Sequence, residues 1–156
     1  NTPGVAGTSK KGDELGSSLA SGDMDGDGFF DLAIGVPFKY VGAPRAGAVL
    51  TMKGSKDGLA TTGDMQWRQG IAGLIATSEK GDRFGSSVRF ADLNGDGYDD
   101  LIVGLPTEDL NVVDSGAVIV IYSTANGLTA TGSEVWHQDA TGVEGTGNTK
   151  DKMGSL

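Results

Sequence analysis

Two short acidic segments carry the residue types and spacing that could bind a metal ion. The first reads DMDGDGFFD from Asp23 to Asp31, and the second reads DLNGDGYDD from Asp92 to Asp100. Oxygen-bearing side chains stand at positions 1, 3, 5 and 9 of each segment, with Gly at positions 4 and 6. Because Gly accepts backbone conformations that curl the chain, alternate side chains can converge on one point.

This donor set suits a hard cation. Ca²⁺ takes six to eight oxygen ligands in flexible geometry, whereas Mg²⁺ demands a tighter octahedron and keeps several waters. Position 7 of each segment can add a backbone carbonyl to the side-chain oxygens. We therefore predict two Ca²⁺ sites, whose ligands are the side chains of Asp23, Asp25, Asp27, Asp31, Asp92, Asn94, Asp96 and Asp100 and the carbonyls of Phe29 and Tyr98.

An EF-hand and a simple Asp-Gly turn are the competing interpretations of these loops. An EF-hand requires Glu at position 12 and flanking helices, but position 12 here is Ile34 or Val103, inside an apolar run. A solvated turn would not need several mutually repelling carboxylates. The recurrence of the motif at a fixed phase favours metal binding.

The rest of the sequence offers little for catalysis. There is no Cys, and His137 is the only His, so a catalytic zinc site lacks ligands. Neither a Gly-X-Ser-X-Gly nucleophile elbow nor a phosphate-binding Gly-Lys-Ser/Thr motif occurs. We expect no catalytic residues and no organic cofactor, and the sequence singles out no pair of carboxylates that would act on a glycoside.

Composition excludes several classes of protein. The 156 residues include 21 acidic and 12 basic side chains, for a net charge of −9. Nucleic-acid binding needs a clustered basic surface, which an acidic chain does not favour. The sequence also contains no run of 18 apolar residues, the length needed to cross a membrane. We therefore expect neither a nucleic-acid partner nor membrane insertion.

The chain repeats itself with a period of 69 residues. Aligning residues 12–80 with residues 81–149 gives 24 identities in 69 gap-free pairs. Residues 1–11 continue the phase as the tail of a preceding unit, and residues 150–156 open a third. We predict two full units, 12–80 and 81–149, flanked by these two partial ones.

Each unit reads as four short strands separated by Gly-rich links. The predicted strands are 15–21, 32–36, 46–53 and 65–69 in the first unit and 84–90, 101–105, 116–122 and 134–138 in the second. The second strand of each unit is continuously apolar, as expected of a buried strand. Repeated units of four strands predict an all-β fold of β-propeller blades.

The units resemble FG-GAP repeats, the blades of the integrin alpha-subunit propeller. Phe84-Gly85 matches the Phe-Gly of the family, whereas Leu15-Gly16 departs from it. Gly35-Val36-Pro37 and Gly104-Leu105-Pro106 match the Gly-Ala-Pro element, and the two acidic loops match the family's calcium loop. The resemblance implies four-stranded antiparallel blades around an axis, with calcium loops on one face and partner binding often on the other.

Function follows from this resemblance only in outline. It implies a non-catalytic, calcium-binding segment for extracellular recognition, adhesion or structural support, with a protein or glycan ligand. Two blades leave edges unpaired, so further blades should come from a parent chain or from self-association. A lectin-like propeller and the accessory region of a secreted hydrolase are the alternatives. The loops after the second strands, 37–45 and 106–115, differ most between units and are candidate binding surfaces.

Overall fold

The computed structural model describes residues 7–74, 76–110 and 112–155, and these residues form strands and turns without a helix. Most of the predicted leading tail, residues 1–6, lies outside this part of the chain. No helix that could span a bilayer occurs in the described residues. The strands are β1 (Ser18–Gly22), β2 (Asp31–Val36), β3 (Ala48–Met52), β4 (Met65–Trp67), β5 (Ser87–Ala91), β6 (Asp100–Leu105), β7 (Ala117–Ile121) and β8 (Glu134–Trp136).

The strands form two separate four-stranded antiparallel sheets, which confirms the predicted fold class. Their orders are β1-β2-β3-β4 and β5-β6-β7-β8, so each strand pairs with its neighbour along the chain. The two sheets keep the same register, with Ser18 opposite Gly35 and Ser87 opposite Gly104. Such simple meanders form because each connection only has to reverse the chain.

Strand boundaries differ from the sequence prediction by up to three residues. β1 and β5 begin three residues later than predicted, because a turn at Gly16 and Gly85, with φ of 88° and 86°, precedes each of them. β4 and β8 end at Trp67 and Trp136, two residues early. The turn glycines explain the first difference, since only Gly adopts this conformation without strain.

One hydrophobic core joins the two sheets. Ala33, Val49 and Trp67 from the first sheet share a cluster with Val88 and Leu101 from the second. All five side chains are almost fully buried. Burial of this apolar area is the main contribution holding the sheets face to face.

The start of the second unit is also hydrogen-bonded to the first. The amide of Arg83 donates to Arg45 O at 3.1 Å, and that of Phe84 donates to Ala46 O at 2.8 Å. The same contact recurs one period later, where the Met153 amide donates to Ser115 O at 2.9 Å. The segment 150–155 therefore lies on the second sheet as the segment 81–86 lies on the first.

Two glycines meet where the units touch. Gly85 O accepts a hydrogen bond from Ser18 Oγ at 2.9 Å and lies directly against Gly35. A Cβ on Gly35 would collide with this carbonyl and with Ser18 Oγ. Glycine is therefore required in β2 because the backbone of the next unit passes too close for any side chain.

Candidate metal centres

The first acidic loop is folded around the carboxylate of Asp23. Its Oδ1 accepts hydrogen bonds from the amides of Gly26 and Asp27 at 2.7 and 3.1 Å, and its Oδ2 accepts one from Gly28 at 2.9 Å. Gly26 and Gly28 have φ of 71° and 86°, which lets the loop curl as the sequence predicts. Hydrogen bonds from nearby backbone amides to the Asp23 carboxylate therefore define the shape of the loop.

Three of the four predicted side-chain ligands of this loop come together. Asp23, Asp25 and Asp27 each place a carboxylate oxygen within 4.8 Å of the others. Asp25 Oδ1 is buried and has no hydrogen-bond partner. An orphaned buried oxygen is costly, and a cation held between these three carboxylates would satisfy it. The donor set therefore fits a hard ion such as Ca²⁺.

Asp31 stands apart from this group and braces the loop. Its Oδ2 accepts the amide of Met24 and its Oδ1 accepts that of Gly54, both at 2.8 Å. The side chain is buried, and this burial raises the pKa of the Asp31 carboxyl, with the charges of Asp25 and Asp27 adding to the shift. Asp31 thus ties the loop to the end of β3, and its role as a direct ligand remains a prediction.

Lys53 contacts the first loop and was missed by the sequence reasoning. Its Nζ lies 2.6 Å from Asp25 Oδ2, and this contact with Asp25 raises the pKa of Lys53. The four predicted ligand carboxylates less this ammonium leave three net negative charges. The predicted ligands of the second loop, three carboxylates and Asn94, carry the same net charge. Lys53 departs from its repeat partner Tyr122, and that difference was the only signal available.

The second loop repeats the backbone design of the first. Asp92 accepts hydrogen bonds from the amides of Gly95, Asp96 and Gly97 at 2.7–3.2 Å. Asp100 braces the loop through the amides of Leu93 and Ser123. Asn94 Nδ2 donates to Asp96 Oδ2 at 3.0 Å, which draws the position 3 and position 5 side chains together.

Asp99 couples the two loops. The Asp23 amide donates to Asp99 Oδ2 at 2.9 Å, and the Asp99 amide donates to Asp23 O at 3.0 Å. The repeat partner of Asp99 is Phe30, whose side chain is exposed. A second-unit residue therefore positions Asp23, the first predicted ligand of the first loop. No spacing within one loop could reveal this contact.

The loop after β2 is a mixed aromatic and basic surface. The guanidinium groups of Arg45 and Arg83 lie 5.2 and 5.3 Å from the centre of the Phe38 ring, and Lys10 Nζ lies 5.4 Å from that of Tyr40. Cations over ring faces are attracted by about 0.5–1 kcal/mol at exposed sites. These contacts give the predicted binding loop a defined shape.

The family of the chain follows from these sheets, their contacts and the paired loops. A profile of the FG-GAP repeat matches residues 15–52 and 84–121, from the turn before the first strand to the third strand of each sheet. The two units are FG-GAP repeats. The resemblance noted from Phe84-Gly85 and the Gly-X-Pro elements is thus confirmed.

Curated relatives carry the same repeats within much longer chains. The chain is 42% identical over 113 residues to integrin alpha-5 of Xenopus laevis, covering 71% of this chain and 10% of that protein. It is 32% identical over 115 residues to the phosphatidylinositol-glycan-specific phospholipase D of Bos taurus, covering 72% and 14%. Human integrin alpha-8 is 40% identical over 92 residues, covering 58% and 8%. The chain therefore spans about a tenth of the length of these FG-GAP relatives.

Proposed function

We propose that the chain is a calcium-stabilised, non-catalytic segment of an integrin-alpha-like propeller that acts in extracellular recognition or structural support. The observation that carries the proposal is the convergence of Asp23, Asp25 and Asp27 around the orphaned Asp25 Oδ1. The ligands assigned to the two sites are those predicted from the sequence. A bound Ca²⁺ would neutralise each carboxylate cluster and hold the turn between the first two strands of each sheet.

Calcium binding of this kind would make a measurable contribution to stability. An extracellular-type site with a Kd of about 10⁻⁴ M, in about 1 mM Ca²⁺, stabilises the folded state by roughly 1.4 kcal/mol. Sites this weak would be empty at cytosolic calcium concentrations. The proposed location is therefore outside the cell or on its surface.

Further blades are proposed to cover both ends of the pair. Leu15 and Leu19 are 60% and 58% exposed, whereas their repeat partners Phe84 and Val88 are fully buried beneath the first sheet. Leu15 and Leu19 are thus the exposed equivalents of side chains that the first sheet covers in the second unit. We propose that residues 12–80 and 81–149 are successive blades, completed by a parent chain or by other copies of this one.

Ligand binding is proposed at the loops that follow the second strands. Tyr40 is 56% exposed, and the guanidinium groups of Arg45 and Arg83 lie over the ring of the nearby Phe38. Tyr and Arg are enriched at the centres of protein interfaces. This surface favours a protein partner over a glycan, and an array of glycans tested beside immobilised proteins would separate the two.

A second candidate function is the accessory region of a hydrolase. It is favoured by the match to phosphatidylinositol-glycan-specific phospholipase D over 72% of this chain. In that case the catalytic groups lie in other parts of the protein. Turnover of a phospholipid by the full-length protein, lost on deleting a separate domain but kept on deleting these residues, would favour it.

Native mass spectrometry with and without Ca²⁺ tests the main proposal, because it counts ions and chains together. We expect at least two Ca²⁺ per chain, removed by chelator. Absence of bound Ca²⁺ at 1 mM would overturn the assignment of the loops. A discrete oligomer would indicate that copies of the chain supply the missing blades, and a monomer would indicate that a parent chain does.

A further inference from the structure

A second group of oxygen atoms lies outside the two acidic loops, where the two sheets meet. Asp82 precedes β5, Glu108 follows β6, and Gln69 follows β4 of the first sheet. The three residues are 2%, 4% and 0% exposed. Thr107 Oγ1 donates to Gly81 O at 2.5 Å, which holds the two carboxylate-bearing segments together.

Among the residues that the structure describes, no cationic side chain pairs with the two buried carboxylates. Gln69 Nε2 donates to Glu108 Oε2 at 2.6 Å and the same amide also contacts Asp82, while the Glu79 amide donates to Asp82 Oδ2 at 2.5 Å. Burial of unpaired like charges is strongly unfavourable, so the pair is stabilised either by a bound proton or by a bound cation.

The first unit contains such a charge at the equivalent position. Lys39 is the repeat partner of Glu108, and the two loops share backbone hydrogen bonds: the Gly47 amide donates to Lys39 O and the Gly116 amide to Glu108 O, both at 3.1 Å. Lys39 Nζ lies 3.5 Å from Asp13 Oδ2, the counterpart of Asp82, and donates to Thr8 O at 2.7 Å. In the first unit, the ammonium of Lys39 thus occupies this position. In the second unit, the carboxylate oxygens of Asp82 and Glu108 line the equivalent position.

An unsatisfied oxygen points to a ligand in the second unit. Gln69 Oε1 is buried and has no hydrogen-bond partner, although its amide lies against both carboxylates. A hydrogen-bond donor or a bound cation could satisfy it. This oxygen is independent of the charge argument, and it comes from the neighbouring unit.

We propose that Asp82, Glu108 and Gln69 Oε1 form a third cation site, between the two units, that takes a divalent hard ion such as Ca²⁺. Two carboxylates and one amide oxygen supply half of a calcium coordination sphere, and water completes the rest. The ion replaces the lysine ammonium of the first unit. Because its ligands come from both units, it holds one blade against the next.

The test is a count of bound Ca²⁺ by native mass spectrometry on the full chain, with Glu108→Lys as the main variant. This substitution copies Lys39 and supplies the positive charge from the protein itself. We expect three Ca²⁺ on the wild-type chain and two on the variant. Asp109→Asn, which changes an exposed neighbouring carboxylate, is the matched control and should keep three.

Glu108→Gln gives a second route to the same answer. It removes one ligand charge without adding bulk, and it should also bind one ion fewer, with circular dichroism confirming the fold of both variants. If wild type and both Glu108 variants bind the same number of ions, the third site does not exist, whatever the count at the loops. The loop variants Asp27→Ala and Asp96→Ala should each lose one ion and keep the ion that depends on Glu108. That result would show that the third site is separate from the loops.

Discussion

Trp67 and Trp136 occupy the same position in two successive units, yet Trp67 is 2% exposed and Trp136 is 39% exposed. Trp67 lies in the core between the sheets, and its Nε1 donates to Thr51 Oγ1 at 3.1 Å. Trp136 Nε1 instead donates to Glu134 Oε2 on its own strand. Trp67 is therefore buried by the packing of the second sheet against the first, whereas no third sheet packs against Trp136 among the described residues.

Self-association of the isolated chain should follow from the apolar side chains exposed on the outer faces of the sheet pair, such as Leu19 and Trp136. We expect wild type to form larger species as its concentration rises, with a blue shift of tryptophan emission as Trp136 becomes buried. Leu19→Glu should keep the chain monomeric, because it places a charge on the end that a partner would cover. Leu59→Glu, at another exposed apolar residue, is the control. Sedimentation velocity that gives the same monomer for wild type and both variants at every concentration would contradict the expectation.

Removing one carboxylate from each loop should remove one ion from each. Asp27→Ala and Asp96→Ala should each bind one Ca²⁺ fewer and lose about 1 kcal/mol of stability in 1 mM Ca²⁺. Without calcium, the loss should be smaller, because removal of a repelling charge offsets the hydrogen bonds that the amides of Phe29 and Tyr98 donate to Asp27 and Asp96. Asp57→Ala, outside the loops, should change neither quantity. Thermal melts with and without Ca²⁺ measure the difference, and an equal loss in both conditions would mean a purely structural role.

Lys53 should weaken calcium binding at the first loop. Lys53→Gln frees Asp25 Oδ2 and removes a positive charge from the site, so we expect the affinity of this loop to rise up to about fivefold. The side chain of Lys53 is 35% exposed, and screening by solvent limits the gain. Isothermal titration against Lys56→Gln, whose ammonium pairs with Asp57 on the surface, isolates the effect. An unchanged or lower affinity would show that Lys53 does not compete with the ion.

Stability in metal-free buffer should fall as pH rises through the range 4 to 7. Burial raises the pKa of Glu108 from 4.5 to about 7 and that of Asp82 from 3.8 to about 6. The charges of Glu79 and Asp109 add to both shifts, and the charge of Asp82 adds to the shift of Glu108. The folded chain thus holds protons that the unfolded chain has released, so stability is lost with increasing pH. The loss should be on the order of 3 kcal/mol for Glu108 alone.

Urea unfolding at a series of pH values measures this loss. Glu108→Lys should flatten the curve, because Asp82 then gains an ion pair like that between Lys39 and Asp13. Added Ca²⁺ should flatten it in wild type alone if the third site exists. A wild-type stability that stays level from pH 4 to 7 without metal would contradict the prediction.

Much of the fold could be predicted because its signals are local and occur twice. The period of 69 residues marks equivalent positions, and short apolar runs such as 101–105 identify the buried strands. The acidic loops are equally local, since Asp23 and the amides that it binds lie within five residues of one another. The later start of β1 could have been anticipated from Gly16, whose positive φ ends the preceding turn.

By itself the sequence determined the four-stranded units, their phase and the two oxygen-rich loops, since neighbouring residues along the chain decide all three. Only the tertiary structure decided that Lys53 meets Asp25, that Asp99 meets Asp23, and that Gln69 lies against Glu108. These partners are 28, 76 and 39 residues apart. Their contacts exist because distant strands and whole units pack side by side. The net charge around each carboxylate therefore depends on which side chains a neighbouring strand or unit places next to it.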